Sequence, residues 1–458
     1  MQMREAVSLS IVSGLRGGSA AILALVGIFV VAASPVFLRT KRSLRQSAVL
    51  RPSPAVSALL LAWLIAPTAA HAIDAYITSS GGNTVSVIDT ATNTVIATIT
   101  LDRPSAGVAV TPDGSKVYIA NGIADTVSVI DTATNTVIAT IPVGGGFEKN
   151  PFGVAVTSDG SKVYVANETG TVSVIDTATN TVIATIPIGL NPTLLAVAPP
   201  RPDGRSEPQN EDRERRCRLH QDDEGQTDGQ EDKKMARSKV YVADSEGNTV
   251  VVIDTATDTV IARIPVGRFP FGVAVTPDGC KVYVANDNDA TVSVIATASD
   301  TVIGSPIPVG FAPAGVAVAP NGRRVYVTFD TAVSVIETAT DTVIGSPIPV
   351  GRSPTAVAVT PNSRKVYVEN FLDNTVSVIA TKTNTVIATI PVDRDPDGHG
   401  LFIQPGPRFA GIPGFSNCHG QSVSALVQQF NGLNAAAEAL GFRTISGLEE
   451  AVLEFCED

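Results

Sequence analysis

Residues 161–204 read SKVYVANETGTVSVIDTATNTVIATIPIGLNPTLLAVAPPRPDG, and the chain repeats this pattern seven times. Each copy has a valine-rich run around a tyrosine, a short polar segment and two further runs rich in β-branched residues. A proline then begins a fourth run. Successive tyrosines are 42, 46, 77, 42, 43 and 41 residues apart, so the 77 is one period plus an insertion. All seven tyrosines of the protein occupy this one position: Tyr76, Tyr118, Tyr164, Tyr241, Tyr283, Tyr326 and Tyr367.

The runs within one repeat have the composition of β-strands. In Thr171–Asp176 and Thr181–Ile186, β-branched residues dominate and apolar residues recur at every second position. The segments between the runs are typical of turns, as in the T-P-D-G of Thr111–Gly114. No repeat has a helical period. A period near 42 with four strands indicates a propeller blade, whereas the alternative, a stacked β-solenoid, usually has shorter coils. The sequence therefore predicts an all-β fold, a seven-bladed β-propeller of four-stranded blades.

The motifs KVYVAN, TVSVIDTATNTVIATIPVG and GVAVTPDG resemble the YVTN family of β-propeller repeats, which is similar in architecture to WD-repeat and surface-layer propellers. The resemblance covers residues 73–406. It implies that GVAVT is the innermost strand, KVYVAN the second, TVSVID the third and TVIATIPVG the outermost. The chain then begins on a second strand, and Gly400–Gln404 falls in the innermost position. Pairing of these two ends would close the ring and remove its open edges.

The first 72 residues contain two apolar stretches, 20–38 and 55–69, separated by the basic run 39–51. The second stretch has the pattern of a secretory signal, since basic residues precede it and Ala70-His71-Ala72 follows it. We expect cleavage after Ala72 and an exported protein, periplasmic or at the cell surface. The stretch 20–38 is long enough to span a bilayer. A membrane anchor there and an upstream extension from a misplaced start are the two alternatives.

Two segments depart from the repeat. Residues 199–237 are rich in charge and poor in apolar side chains, which predicts a disordered loop; a partner-binding or calcium-binding loop is the alternative. Residues 407–458 predict a small helical hairpin, because apolar residues recur there at helical spacing. Cys418 and Cys456 bracket this tail and are predicted to form a disulfide. Cys217 and Cys280 have no obvious partner and are predicted to be free.

Charge and residue types limit the function. Beyond residue 72 the chain has 26 basic and 43 acidic residues, a charge of about −17 that repels nucleic acid and anionic lipid. Of the four histidines only His399 lies in the predicted ring, where we expect a half-exposed surface side chain. Copper and haem sites on propellers need several histidines or a C-x-x-C-H motif. We therefore expect no metal and no cofactor.

One cluster of charge does suggest a site. In five of the seven repeats a basic residue stands one or two places before the aligned proline: Arg103, Lys149, Arg268, Arg352 and Arg394. The loops that carry them converge on one face of a propeller, so they predict a basic ring at the channel mouth that binds an anion or an acidic peptide. The alternative is that these charges are solvated and pair with acidic residues of neighbouring loops. Four aromatic residues nearby either anchor a ligand or pack where the loops join the strands: Phe152, Phe269, Phe271 and Phe311.

Two functions fit the sequence. The first is a non-enzymatic exported binding or scaffold protein, a monomer whose rigid face binds a protein, peptide or glycan partner in the envelope. Near-identical blades favour it, because a scaffold tolerates copying whereas an active site needs asymmetric residues. The alternative is a propeller enzyme of the lactonase or quinoprotein type. Lactonase-like chemistry would need histidine, glutamate and arginine side chains that converge at the channel mouth.

Overall fold

The structure is a computed structural model that describes residues 73–143, 150–200 and 238–404, together with the isolated positions 433 and 452. It is a seven-bladed β-propeller, and consecutive strands within a blade pair antiparallel, except in blade 6, where two segments of the outermost strand pair with the same third strand. From blade 2 to blade 7, the first strand of each blade lies next to the first strand of its neighbour at the central channel, and the last strand lies at the rim. The predicted fold and the predicted order of strands within a blade are confirmed.

The strands, numbered along the chain, fall into seven groups. Blade 1 has β1 (Asp74–Thr78), β2 (Thr84–Asp89) and β3 (Thr94–Thr100); blade 2 has β4 (Val108–Val110), β5 (Lys116–Asn121), β6 (Thr126–Asp131) and β7 (Thr136–Pro142); blade 3 has β8 (Pro151–Val156), β9 (Lys162–Asn167), β10 (Thr171–Asp176) and β11 (Thr181–Pro187); blade 4 has β12 (Pro192–Ala198), β13 (Lys239–Asp244), β14 (Thr249–Asp254) and β15 (Thr259–Pro265). Blade 5 has β16 (Pro270–Val275), β17 (Lys281–Asn286), β18 (Thr291–Ala296) and β19 (Thr301–Pro308); blade 6 has β20 (Val316–Val318), β21 (Arg324–Phe329), β22 (Ala332–Glu337), β23 (Thr342–Val343) and β24 (Ile348–Pro349); blade 7 has β25 (Pro354–Val359), β26 (Lys365–Asn370), β27 (Thr375–Ala380) and β28 (Thr385–Pro391). Three short 3₁₀ helices follow second strands: η1 (Gly122–Ala124), η2 (Asp287–Asp289) and η3 (Phe371–Asp373).

The hydrophobic core lies between blades rather than within them. Each second and third strand is buried on both faces, and one cluster joins Val127 and Val129 of blade 2 to Val163 and Val165 of blade 3. A strand that is buried on both faces needs a continuous apolar run, which is why these runs read Val-Tyr-Val and Val-Ser-Val-Ile rather than a simple alternation. The outermost strands expose most of their side chains, because they form the rim.

The repeated tyrosine fastens each blade to the next. The seven tyrosine side chains are fully buried, and six of their hydroxyls contact an Asn or Asp in the turn between the third and fourth strands of the following blade. Three of these turns also receive an ion pair of 2.7 Å from the lysine two residues before the tyrosine. The six tyrosine pairs are Tyr76–Asn135, Tyr118–Asn180, Tyr164–Asp258, Tyr241–Asp300, Tyr283–Asp341 and Tyr367–Asn93. All six acceptors have φ between 52° and 57°, a left-handed conformation that Asn and Asp adopt more readily than most residues.

The end of the ring pairs with its beginning. The Tyr76 amide donates to the Phe402 carbonyl at 2.8 Å, and the Gln404 amide donates to the Asp74 carbonyl at 2.9 Å. Phe402 is fully buried and Ile403 is 8% exposed. Leu401–Gln404, here called the closing segment, therefore completes blade 1 as its innermost strand, which confirms the closure predicted from the register of the repeats.

Other segments differ from the predictions or lie outside the described residues. In blade 6 the outermost strand is interrupted between Val343 and Ile348, where Gly345 has φ 69°. The leader 1–72, most of the insert 199–237 and the tail 407–458 lie outside the described residues, apart from positions 433 and 452, which are helical. Within the described ranges, no helix is long and apolar enough to cross a bilayer.

The prediction that Cys280 is a free thiol is wrong, because Cys280 is disulfide-bonded. Its partner lies outside the described residues, since Cys217, Cys418 and Cys456 all do. Local spacing gave no sign of this bond because the partner is distant in sequence from the turn that carries Cys280.

If the predicted pair Cys418–Cys456 holds, Cys217 is the one cysteine left to bond Cys280. We therefore expect non-reducing digestion and mass spectrometry to find two linked peptide pairs, Cys217 with Cys280 and Cys418 with Cys456, and no alkylated cysteine. A link from Cys280 to either tail cysteine would overturn the predicted tail disulfide.

Candidate binding site

The two faces of the ring carry different loops. The loops that lead from an outermost strand to the next innermost strand end at the aligned proline, and they share one face with the loops between second and third strands. We call this the Pro face. The opposite face, here called the turn face, carries the T-P-D-G turns and the D-T-A-T-N turns. The tyrosine contacts between blades reach these D-T-A-T-N turns, so this contact lies away from the Pro face.

A cavity of about 310 Å³ opens among the Pro-face loops. Much of its lining comes from a single position of the repeat, the residue directly after the aligned proline. Seven residues occupy this position: Ser105, Phe152, Thr193, Phe271, Ala314, Thr355 and Asp397. Five of the seven line the cavity, together with Phe269, Asp287, Ser353, Phe371 and His399. The chain is nearly identical from blade to blade in its strands, so the cavity lies where the copies differ.

Three rings from distant parts of the sequence meet in this cavity. Phe152 of blade 3 and Phe271 of blade 5 have ring centroids 5.8 Å apart at an interplanar angle of 67°. Both contact His399, with centroid distances of 5.1 Å and 5.3 Å. An edge-on arrangement of this kind is the favoured geometry for aromatic pairs. The three rings therefore form one packed unit between blades 3 and 5 and the chain that leaves blade 7.

His399 is 3% exposed, so the prediction of a half-exposed surface histidine is wrong. Its burial depends on Phe152 and Phe271, which no local pattern around His399 could reveal. Its Nε2 lies 2.8 Å from Oδ1 of Asp397, which makes Nε2–H the donor in the neutral ring. Its Nδ1 is buried and has no hydrogen-bond partner among the described residues. In the neutral ring with its proton on Nε2, Nδ1 is therefore an unused acceptor.

Glu369 is a buried acid beneath the same segment. It is fully buried, and its Oε2 accepts a hydrogen bond of 2.6 Å from the amide of Gly398. Burial raises the pKa of Glu369 well above its usual range, and the nearby charge of Asp397 raises it further, whereas the hydrogen bond from Gly398 acts in the opposite direction. The other Oε1 has no partner in the described part of the chain. Sequence reasoning missed this residue, although four blades carry alanine at its position: Ala120, Ala166, Ala243 and Ala285.

Replacement of Glu369 tests this assignment through the pH dependence of stability. At a pH above the pKa of glutamate in the unfolded chain and below the raised pKa of Glu369 in the fold, the folded protein retains a proton that the unfolded chain loses. The free energy of unfolding therefore falls as pH rises through this window. Within this window we expect the free energy of unfolding of the wild type to fall by about 1.4 kcal/mol per pH unit more than that of Glu369→Gln. Urea unfolding of both proteins between pH 5 and pH 8 measures this difference. Glu369→Ala should cost about 1–3 kcal/mol, because it leaves the Gly398 amide without an acceptor. Parallel pH profiles for wild type and Glu369→Gln would show that Glu369 is ionised in the fold.

Asp287 adds a second carboxylate to the cavity. It is the first residue of η2 and is half-buried, and burial raises its pKa above the ordinary value. Its amide donates to the carbonyl of Phe269 at 3.0 Å, which joins two loops that line the cavity. The described lining therefore includes Asp287 and Asp397 but no lysine or arginine.

The predicted basic ring is not part of this lining. Nε of Arg268 lies 2.6 Å from Asp289, and Nε of Arg352 lies 2.6 Å from Asp373, and these arginine side chains are 70% and 67% exposed. Hydrogen bonds from the paired arginine hold the pKa of each of these aspartates below its usual range. Arg103 and Arg394 are also exposed, and Lys149 lies outside the described residues. Of the aromatic residues singled out in the sequence, Phe152, Phe269 and Phe271 line the cavity, whereas Phe311 is 78% exposed.

The backbone before the aligned prolines is strained. A residue that precedes proline normally adopts an extended conformation. In five of the seven loops it has a left-handed φ instead: Asn150 at 46°, Phe269 at 55°, Ala312 at 53°, Ser353 at 51° and Asp395 at 52°. For Phe269 and Ala312 this conformation costs about 1–3 kcal/mol, and such strain clusters at ligand sites. The surrounding loops therefore hold Phe269 and Ser353 in fixed positions at the cavity.

Comparison with known proteins gives the fold. No family model and no curated protein matches the chain. A solved structure described as a functionally unknown protein from Desulfotomaculum acetoxidans DSM 771 is 18% identical, with a TM-score of 0.57, over 72% of this chain and 99% of that chain. Hydrazine synthase of Kuenenia stuttgartiensis is 21% identical, with a TM-score of 0.53, over 67% of this chain and 92% of that chain. These similarities establish a propeller.

Proposed function

We propose that the chain is a YVTN-type propeller that acts as a non-enzymatic exported binding protein, with the Pro face as the surface that meets a protein or peptide partner. The observation that carries the proposal is the position of the most exposed apolar side chains. In the described ranges, four of the five most exposed large apolar residues lie in Pro-face loops: Ile123 at 78%, Leu190 at 68%, Phe311 at 78% and Leu372 at 54%. The ten exposed large apolar residues of the described outermost strands are less exposed, at 36–51%. Apolar side chains that protrude from one face of a protein favour an interaction site there.

The distribution of charge on the same face supports this function. Arg268 with Asp289 and Arg352 with Asp373 form exposed ion pairs in the Pro-face loops. Protein interfaces commonly combine an apolar centre with a polar rim of this kind. The aromatic cavity then supplies the enclosed pocket in which binding energy is concentrated.

Substitution of the four Pro-face residues tests the proposal. Full-length protein with Ile123→Ser, Leu190→Ser, Phe311→Ser and Leu372→Ser is compared with a control in which four rim isoleucines of 50–51% exposure are changed: Ile96→Ser, Ile138→Ser, Ile183→Ser and Ile387→Ser. We expect wild type and control to cross-link one partner in envelope extracts, and the Pro-face variant to lose it. Circular dichroism confirms that both variants are folded. Retention by the Pro-face variant with loss by the control would place the interface at the rim and overturn the proposal.

Export is part of the same proposal, supported by the basic, apolar and Ala-x-Ala order that precedes residue 73. Ile73 directly precedes β1, so cleavage there would leave the ring intact. We expect N-terminal sequencing of the protein from its native host to begin at or near Ile73. A form that retains Met1 in the soluble cytoplasmic fraction would contradict export.

A propeller enzyme of the lactonase or quinoprotein type is the second candidate, favoured by the meeting of His399, Asp397 and Glu369 around Gly398. In the described part of the chain, no group of three or more His, Cys, Asp or Glu side chains is arranged to hold a metal ion. Elemental analysis and a quinone assay on the purified full-length protein separate the two functions. One equivalent of metal or quinone per chain would favour the enzyme.

A further inference from the structure

We propose that the Pro-face cavity binds a primary ammonium or guanidinium group, that is, the side chain of a lysine or arginine that the partner inserts. This inference rests on the proposed function, because it names the chemistry of the partner at the same face. Three independent features of the cavity carry it: its charge, its aromatic surface and its unused hydrogen-bond acceptor.

The charge of the cavity favours a cation. Asp287 and Asp397 both line it, and the described lining contains no lysine or arginine that would neutralise them. His399 also lines it, and its Nε2 lies 2.8 Å from Oδ1 of Asp397. Arg268 and Arg352, which directly precede the lining residues Phe269 and Ser353, are exposed and form ion pairs with Asp289 and Asp373. Arg394, three residues before Asp397, is also exposed. A carboxylate in a partly buried site attracts a cation more strongly than one in water, because the local dielectric is lower. A cationic group would therefore gain energy in this cavity, and an anionic group would be repelled.

The aromatic surface favours the same ligand. Phe152, Phe269, Phe271 and Phe371 line the cavity, and all four are half-buried rather than fully covered. Aromatic faces attract ammonium and guanidinium groups and also accept the methylene groups that precede them in lysine and arginine. The volume of about 310 Å³ is at the small end of the range for ligand sites, which fits one side chain better than a larger ligand.

The unused acceptor indicates which cation fits. Nδ1 of His399 is buried and has no partner among the described residues, while Nε2 donates to Asp397. A buried polar atom without a partner costs free energy, so a ligand that donates a hydrogen bond to Nδ1 would gain that energy back. Primary ammonium and guanidinium groups carry N–H donors, whereas a quaternary ammonium carries none. The cavity should therefore prefer lysine and arginine over a permethylated amine.

Small probes test the chemistry directly on the full-length protein. Ligand-observed NMR would measure binding of N-acetyl-lysine methylamide, N-acetyl-arginine methylamide, the neutral norleucine analogue and tetramethylammonium, each at up to about 10 mM. We expect the lysine and arginine probes to bind at least about ten-fold more tightly than the norleucine probe and tetramethylammonium. Equal affinity for lysine and norleucine probes, or no binding by any probe, would overturn the inference.

Two variants of η2 locate the effect. Asp287→Asn removes a charge from the cavity, whereas Asp289→Asn removes the same charge two residues away, at the exposed pair with Arg268. We expect Asp287→Asn to weaken the lysine probe about ten-fold or more and Asp289→Asn to weaken it less than about three-fold. Equal effects would mean that only the net charge of the loop matters, which contradicts a site in the cavity. Failure here is distinct from failure of the proposed function, because capture of the partner by the four-residue Pro-face variant and its control is measured without these probes.

Discussion

A chain truncated before His399 should aggregate or unfold at much lower denaturant concentration than a chain truncated after Pro407, which should keep a folded ring. The first truncation removes the closing segment and exposes the inner edge of β1, whose backbone groups bond to Phe402 and Gln404. An unpaired strand edge is a site for association with other chains. The second truncation retains the closing segment. Size-exclusion chromatography and urea unfolding of both proteins measure the difference.

Point variants test whether the instability comes from the loss of ring closure or only from the shortening of the chain. Phe402→Ala removes a fully buried aromatic side chain and should cost about 3–5 kcal/mol of unfolding free energy. Leu401→Ala is the matched control, because its side chain is 67% exposed and its loss should cost less than about 0.5 kcal/mol. If both truncations remain monomeric and unfold at the same urea concentration, the closing segment does not close the ring.

The protein should unfold steeply just above pH 10. Burial raises the pKa of six of the repeated tyrosines, to about 12 for Tyr118. A raised folded-state pKa means that the unfolded chain loses its tyrosine protons first, so stability is intact below pH 10 and falls above it. Each tyrosine contributes a slope of up to about 1.4 kcal/mol per pH unit, and six together reach about 8 kcal/mol per unit. A domain of ordinary stability would unfold within one or two units.

Tyrosine absorbance provides the measurement for this prediction. Tyrosinate should appear at the same pH as the loss of circular dichroism, because the rings ionise only when the blades separate. Tyr118→Phe is expected to cost about 1 kcal/mol at pH 7, where it loses the bond to Asn180, and to reduce the alkaline slope. Gradual ionisation near pH 10 with the fold intact would show that the tyrosines are not buried between blades.

The strands, the blade order and the ring closure could be predicted because each depends on a local pattern repeated at a fixed period. The β-branched run Val-Ser-Val-Ile and the turn residues of T-P-D-G determine the strands without reference to distant parts of the chain. Ring closure followed from the positions of the strands within the blades. Because the repeats begin on the second strand of a blade, the innermost strand that completes that blade must come from the last repeat. The role of the repeated tyrosine was not predicted, because its acceptor lies in the next blade.

The cavity was hidden from the sequence for a physical reason. His399 is buried by Phe152 and Phe271, which lie about 250 and 130 residues away in the chain, so no local spacing relates them. Charge near the prolines suggested a basic ring, but Arg268 and Arg352 pair with acids of their own blades. One signal was available: in an array of near-identical repeats, the position after the proline and Glu369 are places where the copies differ.

Hydrogen–deuterium exchange of the full-length protein, alone and with its cross-linked partner, tests the assignment of function to the Pro face most directly. We expect protection in peptides that contain η2, η3 and the segments around Pro270, Pro354 and His399. Peptides of the D-T-A-T-N turns and of the rim strands β7 and β11 should exchange at unchanged rates. Protection of the turn face or of the rim, with the Pro-face peptides unchanged, would contradict the assignment of the interface to the Pro face.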